Sequence, residues 1–233
     1  MGRIDSKDMQ THKILYILFT VLILTSCEPV KTGLRIGFIS CYTYFNPDTF
    51  DVTYDDNSVS VRLQPQHWQN NIYVNSHDFV FADNKLLEER YNSLCEKFGD
   101  IYPGGFSCQS TDYSAYPAVC FEIINSVSIV SDNDWNAEHP AGTLLNDMFS
   151  IGYCTFYPYI SNNYTGQTYT LVTTSLSELQ EDEMKLIQNS VRLDCATLPT
   201  VAQHHTLTVS FDLDTDRTAT YYVELDFAAP EAQ

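Results

Sequence analysis

The stretch that decides the fold is HTLTVSFDLDTDRTATYYVELDF, residues 205–227. Apolar residues occupy every second position over 207–213, a polar turn follows at 214–216, and alternation resumes over 219–227. In a strand, side chains alternate between the two faces, so each run places its apolar residues on one side. Two such runs joined by a short turn predict an antiparallel hairpin with one buried face and one solvated face.

Other segments carry strand patterns. In residues 58–63, Val59, Val61 and Leu63 alternate with polar residues and predict one buried face. Residues 119–131 predict one long strand with Val127 and Ile129 on its apolar side. Further strand candidates are residues 34–45 and 152–173.

Two segments show helical periodicity instead. Residues 84–98 have apolar positions at helical spacing, a capping Asp or Asn at the start and a glycine after the end. Residues 177–191 open with a capping box and continue through Met184, Ile187 and Val191, which predicts a second, shorter helix. Since strand candidates dominate, we predict a mainly β fold: an antiparallel β-sandwich, Ig-like or related, with one or two helical excursions.

The N-terminus carries an export signal. Residues 14–26, ILYILFTVLILTS, are within the range of a secretory apolar region and short of the roughly 20 residues that a membrane-spanning helix needs. The run ends in LTSC, which resembles the bacterial lipobox, whose cysteine is acylated before cleavage on its amino side. This predicts a lipoprotein signal peptide over residues 1–26, lipidation of Cys27 and a tether over 27–33. An ordinary signal with a chance cysteine is the alternative.

A lipid anchor places the protein in the bacterial cell envelope. Glu28 follows the cysteine in place of the aspartate that retains enteric lipoproteins at the inner membrane, which favours the outer membrane and leaves the leaflet open. Translation starts at Met1 or at Met9, because residues 9–13 form a compact basic segment before the apolar run. We expect a single mostly β globular domain over residues 34–229.

Charge excludes one class of partner. The 30 acidic residues outnumber the 12 basic residues and give a net charge of −18. Such a surface repels phosphate backbones, so we expect no nucleic-acid partner, and contact with a membrane only through the lipid anchor. A strongly acidic chain can be disordered, but an aromatic content of 13% favours a packed core.

Several quoted stretches resemble a known group of proteins. Cys27, SVSIVSDNDW at 126–135, HPAGTLLNDMF at 139–149 and the C-terminal hairpin are similar to those of small uncharacterised lipoproteins of Bacteroides-type bacteria, a domain of unknown function. The resemblance implies an envelope location and a globular exported domain. It supplies no catalytic residues.

The number of cysteines predicts disulfide bonds. Six cysteines remain after lipidation, an even number in an exported chain, and they allow 15 pairings. Buried thiols are the alternative for each. The six are Cys41, Cys95, Cys108, Cys120, Cys154 and Cys195.

Searches for catalytic motifs fail. The sequence holds no G-x-S-x-G, H-E-x-x-H or S-x-x-K motif, and its nine glycines form no phosphate-binding loop. We therefore predict that the protein is not an enzyme and acts as a structural or interaction module. A glycan-binding surface lipoprotein and an unrecognised hydrolase are the alternatives.

Two features are candidate ligand sites. In the loop over 132–138, the oxygen-bearing residues Asp132, Asp134, Asn136 and Glu138 alternate as in a calcium loop, although its usual glycine and bidentate glutamate are missing. We expect no cofactor, with calcium as the alternative to a plain acidic turn.

Aromatic residues form the second candidate site. They crowd residues 149–169, and exposed rings can stack on sugars. Core packing is the alternative explanation. The candidates for ligand binding are Tyr157, Tyr159, Trp68 and Trp135.

Overall fold

The computed structural model describes residues 34–35, 37–47, 49–55, 58–64, 79–81, 88–103, 106–107, 119–181, 183–195, 197–200 and 204–227. The predicted signal peptide, the lipidation site Cys27 and the tether lie outside these residues, as do Trp68 and Cys108. Within the described part of the chain, no helix is both long and apolar enough to cross a membrane.

The described chain is mainly β. Its strands are β1 (Leu34–Arg35), β2 (Cys41–Thr43), β3 (Thr49–Asp55), β4 (Ser58–Gln64), β5 (Phe79–Phe81), β6 (Phe106–Ser107), β7 (Val119–Cys120), β8 (Ile124–Ser131), β9 (Phe149–Thr155), β10 (Thr170–Ser175), β11 (Ile187–Cys195), β12 (His204–Leu213) and β13 (Thr218–Asp226). Its helices are α1 (Glu88–Phe98) and α2 (Tyr157–Ser161).

Two sheets form a sandwich, which confirms the predicted fold class. The large sheet centres on β11, which has β9 and β10 on one side. On its other side, β11 pairs with β7 near its start and with β4 over its second half, so that β7–β2–β5 and β4–β3 continue the sheet in two branches. The small sheet has the order β13–β12–β8. All these pairs are antiparallel except β2 with β7.

The main core fills the space between the sheets. It combines inward-facing residues of β4, β9 and β11 with those of β8, β12 and β13. The hairpin of β12 and β13 behaves as its period predicts: Leu207, Val209, Phe211 and Leu213 are buried while the residues between them are not. Val59, Val61 and Leu63 are buried as expected.

A second core lies where α1 and α2 cover the other end of the large sheet. It contains Tyr42 of β2, three residues of α1 and Ile160 of α2. The described part of the predicted first helix is confirmed, and it ends at Gly99, whose φ of +67° suits glycine. The buried α1 residues are Tyr91, Cys95 and Phe98.

The prediction of a second helix over residues 177–191 is wrong. Residues 177–181 are turns and irregular backbone, and the segment that contains Ile187 and Val191 is β11. Its apolar residues satisfy a period of two as well as a helical one: Ile187, Val191, Leu193 and Cys195 are buried on one face. Pairing with β9, β7 and β4 decides between the two, because only the strand satisfies the backbone groups of its neighbours.

The predicted long strand over 119–131 is divided. β7 and β8 are separated by residues 121–123, and β8 has a bulge at Asn125, where the pairing steps from Ser126 to Ile124. The break places Glu122 between the two sheets, fully buried. The short helix α2, which begins beside Pro158, replaces part of the strand expected over 152–173.

Candidate functional site

Two of the predicted ligand-binding tyrosines lie on α2. Tyr157 and Tyr159 are half-buried and pack against the second core. The Lys185 ammonium sits 5.5 Å from the ring centroid of Tyr157. The Tyr159 ring makes edge contacts with Phe38 and with Tyr164, at centroid distances of 5.2 and 5.8 Å. These rings do not form a flat, open platform.

An aromatic ledge lies at the surface of this region, which we define as the exposed residues Ile101 and Tyr102 and the half-buried residues Tyr159 and Tyr164. Ile101 is 53% exposed and Tyr102 36%. The Tyr102 ring contacts Tyr164 edge-on at 4.9 Å, which links the segment after α1 to the turn after α2. An exposed apolar group of this kind on a described surface is a candidate recognition site.

Backbone strain marks the same place. Asn163 and Tyr164 both have positive φ, 51° and 58°. Such conformations are uncommon for residues other than glycine, and two in succession persist only where the surroundings hold them. The strained turn holds Tyr164 against Tyr102.

A buried carboxylate supports the ledge from below. Asp100 is fully buried, and its oxygens accept hydrogen bonds from the backbone N–H groups of Phe38 and Ile39 at 2.7 and 2.9 Å. The hydroxyls of Tyr42 and Tyr164 also donate to Asp100, at 3.0 and 3.1 Å. Burial and the neighbouring Asp100 charge raise the pKa of both phenols, so both remain hydrogen-bond donors at neutral pH. The ledge therefore rests on a rigid polar cluster.

Trp135 is not a surface residue. Its ring has no exposed area and packs against Phe149, His205 and Phe227, while Nε1 donates to the carbonyl of Thr197 at 3.0 Å. A buried ring offers no face to a ligand, and this corrects the hypothesis that Trp135 binds one. The tryptophan belongs to the main core because the loop after β8 folds back over the sandwich.

Three of the predicted calcium residues use side-chain oxygens to accept backbone hydrogen bonds. Asp132 Oδ1 accepts from the Thr206 N–H at 2.6 Å, and Asp134 Oδ1 accepts from the Ala141 N–H at 2.7 Å. Asn136 Oδ1 accepts from the backbone N–H groups of Glu138 and His139. The bond from Thr206 lowers the pKa of Asp132. Among the described residues, no three His, Cys, Asp or Glu side chains converge as metal ligands.

Calcium is therefore expected to leave the stability unchanged. Asp132 and Asp134 cap backbone groups on different segments, and an ion would compete with these hydrogen bonds for the two carboxylates. We expect no rise in melting temperature when millimolar calcium is added to the calcium-free protein, measured against magnesium as a control. A calcium-specific rise would instead support a metal loop, because a ligand that binds only the folded state stabilises it.

An open cleft lies beside the same loop. It has a volume of about 570 Å³ and is lined by Glu138, His139, Leu144 and Asp147, among others. Both Asp147 oxygens lie 3.1 Å from His139 Nε2, and Asn136 Oδ1 lies 3.0 Å from Nδ1. Both ring nitrogens of His139 thus face acceptors within the loop, an arrangement that holds the loop together.

A serine and a histidine, Ser131 and His205, are also in contact. Ser131 Oγ lies 2.8 Å from His205 Nδ1, but both residues are buried in the sandwich, out of reach of a substrate. The adjacent His204 points the opposite way and is exposed, as expected for neighbours on a strand. Its Nδ1 lies 2.7 Å from Asp226 Oδ1.

His204 gives a pH prediction. The hydrogen bond to Asp226 raises the pKa of His204, with smaller effects from Asp132 and Glu224. Because the folded-state pKa is raised, the contribution of this pair to stability is complete below about pH 6.5 and is lost as pH rises through the folded-state pKa. Asp226→Asn is expected to return the pKa of His204 towards 6.5, measured by NMR titration of the imidazole. An unchanged midpoint would show that Asp226 does not set it.

The disulfide prediction is wrong for the described cysteines. Cys41, Cys95, Cys120, Cys154 and Cys195 are buried thiols, and no disulfide joins any two of them. Cys120 and Cys195 belong to the main core and Cys95 to the second core, where each packs as a small apolar side chain. Burial raises the pKa of Cys195 to about 11, and also that of Cys120 and Cys154, so these thiols are unreactive at neutral pH.

Pattern analysis missed Asp100, Tyr102 and Tyr164. The first two follow the glycine that ends α1 and fall in a stretch typical of loops, and Tyr164 lies among many tyrosines. The position of Asp100 just after the end of α1 was a usable signal, because an acidic side chain that is buried there needs hydrogen-bond donors from distant segments.

No family model, curated protein or solved structure matches this chain.

Proposed function

We propose that the protein is a non-catalytic interaction module of the bacterial cell envelope, anchored through a lipid on Cys27, and that the aromatic ledge is its contact surface. The observation that carries the proposal is the exposure of Ile101 and Tyr102 above the rigid Asp100 cluster. Exposed aromatic side chains on a fixed support lose little conformational freedom on binding, which favours recognition.

The engagement of the polar side chains supports a role without catalysis. Asp100 and Glu122 are buried with hydrogen bonds at both oxygens, and the Ser131–His205 pair is buried. A general base or nucleophile needs access to substrate, which these groups lack. Their bonds join distant segments of the fold, so each has a structural role.

Replacement of Cys27 tests whether the protein carries a lipid anchor. Cells fed labelled palmitate should label the native chain and not the Cys27→Ser variant, whose precursor should also remain uncleaved. Incorporation of label into the variant would contradict the lipobox assignment. Separation of the inner and outer membranes of the labelled cells shows which of the two holds the native chain.

The contact surface is tested by photocrosslinking in intact cells. Tyr102 is replaced by p-benzoylphenylalanine in one variant and Tyr222, an exposed tyrosine of β13, in the control. We expect a discrete crosslinked product from position 102 and none from position 222. Equal products at both positions, or none at position 102, would reject the ledge as the contact surface.

Glycan capture is a second candidate for the same ledge. The exposed amide residues Asn162 and Asn163 adjoin Tyr164 and can offer hydrogen bonds beside an aromatic ring. Binding of a neutral oligosaccharide that is lost in Tyr102→Ala and kept in Tyr222→Ala would favour a glycan over a protein partner. Rejection of every neutral sugar tested would leave the protein partner.

A further inference from the structure

Two arginines lie side by side on the outer face of the large sheet. Arg192 of β11 is the direct cross-strand partner of Arg62 of β4, and both side chains are exposed. Like charges directly opposite each other destabilise an antiparallel pair. Arginines are also scarce in a chain with 12 basic and 30 acidic residues. The contact between the two arginines therefore does not itself stabilise the fold.

The neighbouring acids leave most of the guanidinium groups available. Asp194 Oδ2 accepts from Arg192 Nε at 2.8 Å, which engages one of the five N–H donors of that side chain. Asp51 lies opposite Arg62 on β3, but its Oδ2 accepts from Gln64 Nε2 at 2.8 Å. Within the described residues, Arg62 has no hydrogen-bond or ion-pair partner.

Four other bases of the described chain have partners. Lys97 pairs with Asp214, Arg217 with Glu122, Arg90 donates to the Tyr44 hydroxyl, and Lys185 lies over the Tyr157 ring. Arg62 differs from these four bases, and it lies next to a second arginine.

Gly152 has no side chain, so the backbone beside the arginine pair is uncovered. It lies between Thr173 of β10 and Arg192 in the same row across the sheet. A Cβ built on Gly152 would lie 3.7 Å from Thr173 Oγ1 and 3.8 Å from Arg192, which is ordinary contact. Packing therefore does not require glycine here. A glycine inside a strand marks a bulge, a bend or the close approach of another group, and a ligand is one such group.

We propose that Arg62 and Arg192 bind the carboxylate of an acidic ligand whose polar body lies over Gly152. The planar guanidinium groups match carboxylate geometry. Asp51 and Asp194 formally balance the two positive charges, so binding rests on the available N–H donors of the pair and polyanions are disfavoured. The hydroxyls of Thr173 and Ser150 lie in this and the adjoining row, where a polar body can reach them. This surface is separate from the aromatic ledge, and the inference does not rest on the proposed function.

The test uses the full chain in detergent with ¹⁵N-labelled arginine. Sodium glucuronate is the probe and neutral glucuronamide its matched control, with Nε–H signals followed by NMR. We expect glucuronate to shift the Arg62 and Arg192 signals and glucuronamide to leave them. Arg62→Gln should weaken binding, read at Arg192, by about tenfold. Its melting temperature should be equal or higher, since the like-charge contact is removed.

Arg90→Gln is the control variant, because it removes the same charge from a different surface and should keep full affinity. Equal shifts with glucuronamide would overturn the proposal, as would unchanged arginine signals at tens of millimolar glucuronate. Full affinity in Arg62→Gln would also overturn it. A loss in Arg90→Gln as large as in Arg62→Gln would mean that net charge, and not the pair, governs binding.

Discussion

Arg217→Met is expected to lower the free energy of unfolding by about 3 kcal/mol. The guanidinium donates from Nε and Nη2 to the two Glu122 oxygens, and Nη2 also donates to the Phe45 carbonyl at 2.6 Å. Glu122 has no exposed area, so the substitution leaves a buried carboxylate without its counter-charge. The expected loss is at the low end of the range for broken buried pairs because the Arg217 side chain is 38% exposed.

Urea denaturation at neutral pH measures this loss, and two further variants show its origin. In Arg217→Met with Glu122→Gln, the neutral amide still accepts hydrogen bonds, so we expect part of the stability to return. Lys97→Met removes the exposed ion pair with Asp214 and should cost about 1 kcal/mol or less. A loss in Arg217→Met no larger than in Lys97→Met would show that the buried pair contributes little.

Gly37→Ala is expected to destabilise the protein by more than about 3 kcal/mol, or to prevent folding. A Cβ at this position would lie 2.5 Å from Asp100 Oδ2, 2.6 Å from Cys95 Sγ and 2.8 Å from the Asp100 carbonyl oxygen. One of these atoms is backbone and the others are buried, so none can move without breaking the Asp100 cluster. If Asp100 were displaced, the buried backbone N–H groups of Phe38 and Ile39 would lose their hydrogen-bond acceptor.

Gly152→Ala is the matched control for this prediction. The new methyl group there meets its neighbours at normal contact distances, and we expect a change within about 0.5 kcal/mol. Thermal and urea unfolding of both variants would be compared with the native chain. A Gly37→Ala variant as stable as Gly152→Ala would mean that α1 and β2 are packed less tightly than the structure indicates.

Local pattern was sufficient for elements whose faces are set over a few residues. The alternation in β4, β12 and β13 predicted which side chains are buried, and the helical spacing and final glycine predicted the described length of α1. The same alternation accounts for His204 and His205, which point to opposite faces of β12. These features follow from backbone geometry, which repeats every two residues in a strand and every 3.6 in a helix.

Where a segment fits a helical and a strand pattern equally well, the sequence did not decide which of the two elements forms. Residues 177–191 satisfied a helical period and a capping box, but the available partners β4, β7 and β9 made 187–195 a strand. Trp135 lies in a polar loop and was a candidate for ligand binding, yet the loop carries it into the main core. In both cases the deciding interactions come from distant segments.

The sequence by itself determined the mainly β class, the strand faces, the first helix and the charge of the surface. Tertiary structure alone decided the role of the polar groups: Asp100 bonds to residues 61 and 62 positions away, and Glu122 pairs with Arg217, 95 positions away. The same holds for the aromatic ledge and the arginine pair, which join separate elements. Periodicity reports which way a side chain points from its own backbone, whereas burial and pairing depend on which surfaces the folded chain brings together.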